Sequence, residues 1–204
     1  LSRILPKEFF PIVDKPIIQY IVEEAKKSGI SELIFVINPA QKMILNYFKP
    51  TKELEKILIK KKKEELLREL KEFEAVLDGL TIHFVTQRKP MGDGHAILQA
   101  EKFIGDEPVA VLFSDDIVDG ETPVISQLID IYKTCNAPVV ALNKLPNEKL
   151  PAYGVAGVEK IASRLYKVKK IIEKPILGDA PSDLVIVGKY ILTPEVFAYL
   201  KKAK

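Results

Sequence analysis

Three short stretches of the chain combine residue types that have chemistry of their own. Val109 to Asp116 reads Val-Ala-Val-Leu-Phe-Ser-Asp-Asp, so five apolar residues deliver two carboxylates, Asp115 and Asp116, to one place. Five consecutive apolar residues suit a strand covered on both faces. Carboxylates outside the carboxyl end of such a strand are well placed to hold a hard cation against a phosphate. The same pair is also an ordinary turn and helix-capping signal. The second stretch, Gln87-Arg-Lys-Pro-Met-Gly92-Asp-Gly94-His95-Ala96, joins a strand-like run to a helical one. Its glycines let the backbone approach a ligand closely, and the helix start offers unpaired N–H groups. It lacks the Gly-Lys-Ser/Thr ending of a phosphate loop and is not the dinucleotide glycine fingerprint. His95 by itself reads as a packing or capping residue, and His83 in the preceding strand is blander. The third stretch is Glu173-Lys174-Pro175. Neighbours in a regular strand point to opposite sides, but at a strand end before proline both can face a cleft. A salt-bridged or solvated pair is the plainer alternative.

The elements that must position these residues follow from apolar periodicity. Leu1 to Val13, with Lys7 and Glu8 between Pro6 and Pro11, reads as an extended loop. Asp14 is a candidate cap for a helix with Pro16 in its first turn, whose face Ile17, Ile18, Ile21, Val22 and Ala25 ends at Gly29. Leu33 to Ile37 is a compact apolar strand. Between Pro50 and Gly79, Leu54, Ile57 and Leu58, then Leu66, Leu70, Phe73 and Leu77, predict two helical pieces whose phase breaks at Lys60 to Lys63. Thr81 to Thr86 is a strand, Ile97 onward a helix, Val124 to Tyr132 a helix and Ala137 to Leu142 a strand. A β-rich region follows, with strands at Val155 to Val158, Leu165 to Ile172 and Leu184 to Leu192. This order predicts an α/β protein with a parallel or mixed sheet flanked by helices on both faces.

Composition bounds the function. With 204 residues and 47% hydrophobic content, one core and one domain are the expectation. A net charge of +3, with acids and bases interspersed, is too mild to point to nucleic acid or to a membrane surface, so the partner is expected to be small. The lone Cys135 cannot form an internal disulfide, and no run of some 18 or more apolar residues could span a bilayer. A cytoplasmic protein is expected, without a secretory signal and with a first residue, Leu1, that is not Met. The basic run reads as a wet helix surface. The leucine stripe leaves a homo-oligomer contact open.

Read together, six segments resemble one family. Leu5-Pro-Lys-Glu-Phe-Phe-Pro-Ile-Val-Asp-Lys-Pro16, the Gln87 to Ala96 loop, Ser114-Asp-Asp116, Ala152-Tyr-Gly-Val155, Ile172-Glu-Lys-Pro175 and Pro181-Ser-Asp-Leu-Val-Ile-Val-Gly188 are similar, in order and spacing, to the successive motifs of the bacterial UTP–glucose-1-phosphate uridylyltransferases. Each is weak singly, and six in order across the chain are specific. The resemblance implies a nucleotide-diphospho-sugar transferase fold: a Rossmann-like, three-layer, mixed and mainly parallel sheet with a smaller β-rich part for the sugar. It implies conversion of UTP and glucose 1-phosphate to UDP-glucose and pyrophosphate. Residue by residue, it implies Asp115 as the Mg²⁺ ligand, with Asp116 assisting, Lys7 against the triphosphate, and Lys174 neutralising the sugar phosphate. It further implies Gln87 and the Gly92 backbone as readers of uracil, Gly154 and Glu173 on glucose hydroxyls, and Ile186 to Gly188 along the sugar side. Ser2-Arg3 stands where Thr-Lys is usual, Met91 where lysine is frequent, Asp93 where an apolar residue is common, and Asp183 where asparagine is common. The family also begins with a strand and a Gly-x-Gly-Thr-Arg loop ahead of the position of Leu1, and continues beyond that of Lys204. Residues 1–204 alone are therefore expected to be a core that binds nucleotide poorly and turns over slowly. A transferase for dTTP or CTP would keep the aspartate and the Glu-Lys-Pro element and differ at the base loop. A non-catalytic nucleotide-sugar-binding module is the third reading.

Overall fold

The computed structural model describes residues 5–39, 41–49 and 51–202, so the Ser2-Arg3 departure lies outside the described residues. The described part of the segment expected as extended loop forms a single 3₁₀ turn, Lys7–Phe9, and continues into a hairpin of two-residue strands, β1 (Pro11–Ile12) and β2 (Lys15–Pro16). This hairpin corrects the capping expectation. Asp14 lies in its turn, Pro16 is extended at ψ 150 rather than in the first helical turn, and α1 runs Ile17–Lys27 without a side-chain cap. The buried residues of α1 are Ile18, Ile21, Val22 and Ala25, the i, i+3, i+4, i+7 set that defines one helical face. The helix stops at Gly29, whose φ of +80 suits glycine.

Strand β3 (Glu32–Ile37) is followed by α2 (Met43–Tyr47), α3 (Lys52–Lys60) and α4 (Glu64–Leu77). The phase break expected among the lysines is thus a real joint, with Lys62 at φ 54. The stripe divides: Phe73 and Leu77 pack against the core cluster of Ile18, Val22, Ile37, Ile44 and Phe48, whereas Leu54, Ile57 and Leu66 remain exposed. Strand β4 (Thr81–Thr86) pairs in parallel with β3, Leu33 opposite Ile82 and Phe35 opposite Phe84. Then come α5 (Asp93–Gln99), α6 (Glu101–Ile104), β5 (Val109–Leu112), α7 (Val124–Cys135) and β6 (Val139–Lys144). The β-rich region is β7 (Gly154–Ala162), β8 (Leu165–Glu173) and β9 (Leu184–Leu192), closed by α8 (Pro194–Leu200).

The mixed α/β architecture is as expected, and β9 is its hub. It runs antiparallel to β6 along one side, and to β5 and the start of β7 along the other. Among the described residues the direct parallel pairing is β3 with β4. Val109–Leu112 therefore has an antiparallel neighbour and is only half buried. The reason lies in its other edge. Among the described residues β3 pairs only with β4 and β5 only with β9, and a cavity of about 790 Å³ runs between their free edges. Every residue of both strands lines it, and the buried face of α1 and the half-buried Ala96 and Ile97 of α5 wall it. Such valine and isoleucine walls offer a phosphate no partner, but Lys7, Glu8, Asp93 and Asp115 are among the charged residues that share in the lining.

One irregularity places residues for chemistry. The β6–β9 register runs Val140 opposite Tyr190 and then Ala141 opposite Val187, so Gly188 and Lys189 bulge out of the ladder. Bulges bend a strand and re-aim its side chains. Here Lys189, fully buried, donates to Glu24 Oε2 of α1 at 2.7 Å, and the Gly188 N–H donates to Asp116 Oδ2 at 2.7 Å.

Candidate active site

Lys7, in the 3₁₀ turn, and Asp115, in the turn after β5, form an ion pair across 108 residues of chain, Nζ to Oδ2 at 2.8 Å, with both side chains more than half exposed. The Asp115 carboxyl is held below its usual range, first by the hydrogen bond from Lys7. Lys7 is raised in turn by that bond, with Glu8 and Asp93 adding attraction, so three carboxylates surround one ammonium. The signs are opposite for the two groups. The Asp115 contribution to stability is complete above its unfolded pKa and fades as pH falls through its lowered folded value. The Lys7 contribution is complete below its unfolded pKa and fades as pH rises through its raised value. The pair is therefore intact across the neutral range, and at this exposure it is worth less than about 1 kcal/mol. In a carboxyl NMR titration, Lys7→Met is expected to move the Asp115 midpoint upward toward that of a free aspartate; an unchanged midpoint would show that the pair does not persist in solution.

Beneath the pair, Glu8 is buried at 7% exposure; its Oε1 accepts a long bond from Ser114 Oγ, while Oε2 has no partner among the described residues. Sequence reasoning missed this group, since a glutamate between prolines in a polar-looking loop gives no burial signal. Asp116, expected to assist beside the metal ligand, has a partner of its own across the sheet. Its carboxylate accepts from the Gly188 N–H, which makes it the anchor of the β9 bulge. A Cβ on Gly188 would meet Asp116 Oδ2 and Phe113 Cβ at 2.5 Å, so only glycine allows this approach.

The loop after β4 curls on itself. Gln87 Nε2 donates to the Gly92 carbonyl at 3.3 Å and lies 2.8 Å from His95 Nδ1. Gly92, at φ +91, opens onto free space and starts α5. His95, set aside on sequence grounds, is thus in contact with a predicted base reader; the spacing Gln87 to His95 carries no periodic signal that would have linked them. His83 is the bland residue expected, paired with Glu32 at 2.9 Å and packed on the Phe103 ring.

The sugar-side candidates meet at the other end. Gly154 stands opposite Glu173 in the β7–β8 ladder, and a Cβ there would lie 3.1 Å from Glu173 Oε2 and 3.7 Å from Ile186 Cδ1. Lys174 leaves β8 in the left-handed region, φ 46, with its N–H donating to the Tyr153 carbonyl at 3.0 Å. That turn brings its ammonium to 3.7 Å from Glu173 Oε1, so the two side chains share one side as the strand end allowed. Asp183 is engaged elsewhere, paired with Lys144 at 2.9 Å. Among the described residues no direct contact joins Lys7 and Asp115 to Glu173 and Lys174. Strand β9 links the two ends, with Ile186 beside Gly154 and the Gly188 N–H on Asp116, the neighbour of Asp115. The hydroxyl of Tyr190, also on β9, is pushed up first by burial and then by the charges of Asp93, Asp116 and Glu173.

As a metal donor set, Asp115 is a single half-exposed carboxylate, and among the described residues there is no cluster of three or more acidic, histidine or cysteine side chains around it. That fits Mg²⁺, which is usually held by one or two carboxylates plus waters and substrate phosphates. No described helix is long and apolar enough to cross a membrane.

Comparison with known proteins agrees with this fold. The family model for nucleotidyl transferases matches residues 1–204. The UTP–glucose-1-phosphate uridylyltransferase of Bacillus subtilis (strain 168) is 43% identical over 201 residues, covering 98% of this chain and 68% of that enzyme. The crystal structure of an apo UDP-glucose pyrophosphorylase matches with a TM-score of 0.91 at 36% identity, covering 98% of this chain and 73% of that one. A UDP-glucose pyrophosphorylase complexed with UDP-glucose matches with a TM-score of 0.86 at 34% identity, covering 99% and 73%. The chain belongs to the nucleotidyl transferase family, in its UTP–glucose-1-phosphate uridylyltransferase branch.

Proposed function

We propose that this chain transfers the uridylyl group of UTP to glucose 1-phosphate, with Mg²⁺, giving UDP-glucose and pyrophosphate. The observation that carries the reading is the pairing of Lys7 with Asp115 next to the Gln87–Gly92 loop, with the Gly154–Glu173–Lys174 corner joined to the Asp115 turn by β9, through Ile186 beside Gly154 and the Gly188 N–H on Asp116. In the reaction a phosphate oxygen of the sugar attacks the α-phosphorus of UTP, and the bond to pyrophosphate breaks in line. No nucleophile or general base on the enzyme is needed, and the work is alignment and charge compensation. Lys7 lies against the triphosphate, and Lys174 offsets the charge of the attacking sugar phosphate. Asp115 is the carboxylate that would hold Mg²⁺, which when bound neutralises phosphate charge and orients the phosphates. Glu173 accepts from glucose hydroxyls where Gly154 leaves room, and Ile186 and Gly188 border the ring. Gln87 and the Gly92 N–H address the uracil edge.

The test is pyrophosphate release by the full-length protein across a panel of UTP, dTTP and CTP, each with glucose 1-phosphate and Mg²⁺. UTP is expected to give the highest kcat/KM by at least about tenfold, one well-placed hydrogen bond being worth about that factor. A higher value with dTTP or CTP would reassign the base. Tight UDP-glucose binding without turnover on any nucleotide would make it a binding module instead.

A further inference from the structure

His95 is flanked by two glutamine side chains in a way that fixes proton positions. Gln87 Nε2 lies 2.8 Å from Nδ1 of the ring, and Gln99 Nε2 lies 3.2 Å from Nε2. A neutral imidazole has one N–H and one lone pair, so it can accept from only one of these amides, and the other must turn its oxygen inward. The Gln87 contact is the shorter one, and the same amide nitrogen also donates to the Gly92 carbonyl at 3.3 Å. Turning Gln87 would set its oxygen against that carbonyl oxygen, which already accepts from the Ala96 N–H. Gln99 is the side chain that turns: it sits on α5 and gives up only a 3.4 Å contact to the carbonyl of His95 itself. The ring proton then sits on Nε2, donated to the Gln99 oxygen, and Nδ1 accepts from Gln87. Both N–H groups of the Gln87 amide are now used within the loop, and its Oε1, which has no hydrogen bond among the described residues, faces outward.

We propose that His95 is a positioning residue for base choice. By holding the Gln87 amide in this orientation it presents a carbonyl oxygen to the nucleobase, which selects a base with an N–H at position 3, such as uracil, over cytosine, whose N3 is itself an acceptor. This rests on Gln87 being the base reader. Specificity of this kind is stringent because a mismatched base leaves two acceptors facing each other.

The experiment measures kcat/KM for UTP and CTP, at saturating glucose 1-phosphate, in the full-length protein and four variants. His95→Phe keeps the ring volume and removes the acceptor; the UTP-over-CTP ratio is expected to fall by about tenfold, through KM for UTP rather than kcat. His95→Asn places an amide oxygen near the Nδ1 position and is expected to restore the ratio. His95→Gln reaches the Nε2 position instead and is expected to behave like His95→Phe, so this pair decides the matter if the Phe variant fails to fold. A ratio unchanged in His95→Phe, or equal in His95→Asn and His95→Gln, overturns the proposal. Gln87→Ala separates the two readings: if it loses the ratio while the His95 variants keep it, His95 has no positioning role, and if it keeps the ratio, Gln87 does not read the base.

Discussion

Asp115→Asn is expected to lower kcat by about 10²- to 10³-fold, the usual cost of losing one charge-compensating group, here the Mg²⁺ that Asp115 would hold. The fold should hardly register the change. Both side chains of the Lys7–Asp115 pair are more than half exposed, and breaking an exposed pair shifts Tm by no more than about 4 °C in a protein of this size. Two explanations of an activity loss must be separated, because Asp115 also positions Lys7. If holding Lys7 were its whole role, Lys7→Met and Asp115→Asn would have equal effects and the double variant would be no worse. If Asp115 carries Mg²⁺, Asp115→Asn alone raises the Mg²⁺ concentration needed for half-maximal rate, and Lys7→Met leaves that requirement in place while raising KM for UTP. Activity within about tenfold of the parent in Asp115→Asn would remove Asp115 from the machinery.

The position of Asp115 just past a strand was legible because a run of five apolar residues ending in carboxylates is a local pattern, and local patterns survive folding. The same is true of Leu33 to Ile37, of Thr81 to Thr86, of the helix joint near Lys62, and of Glu173-Lys174 at a strand end. What the sequence conceals is pairing. Nothing in Leu184 to Leu192 says that it lies antiparallel to both β5 and β6, because neighbours in a sheet are chosen by surfaces distant in sequence. Asp116 illustrates the consequence. Adjacent to a candidate metal ligand, it reads as a helper of that ligand, yet its carboxylate is committed to the Gly188 N–H across the sheet. Asp14 fails for a local reason: Pro11 and Pro16 favour extended backbone, and the hairpin between them uses the residues a helix cap would need. Lys189 did leave a trace. It is the lone charge in nine residues of otherwise apolar or small strand, a pattern that calls for a buried partner, though not for Glu24 in particular.

That buried pair carries the largest expected effect on stability. Lys189 has no exposed surface, and its ammonium meets Glu24 Oε2 at 2.7 Å, while Glu24 Oε1 accepts from the Ile125 N–H at the start of α7. One carboxylate therefore ties together α1, α7 and the β9 bulge. Lys189→Met keeps most of the side-chain volume but strands Glu24 against apolar surroundings, and removing one partner of a buried pair costs about 3–5 kcal/mol. For a chain of this length that corresponds to a fall in Tm of about 6–20 °C. Glu24→Gln with Lys189→Met removes the uncompensated charge while the amide oxygen still accepts from Ile125, so the double variant should recover more than half of the loss in a urea unfolding cycle. The position next to Lys189 adds a second readout. Gly188 is held by Asp116 and touches Phe113, so loosening the bulge releases the turn that carries Asp115. The single variant is thus expected to lose activity at temperatures well below its melting point, and the double variant to regain it. A Lys189→Met protein within about 1 kcal/mol of the parent would mean that the pair contributes no more than an exposed one.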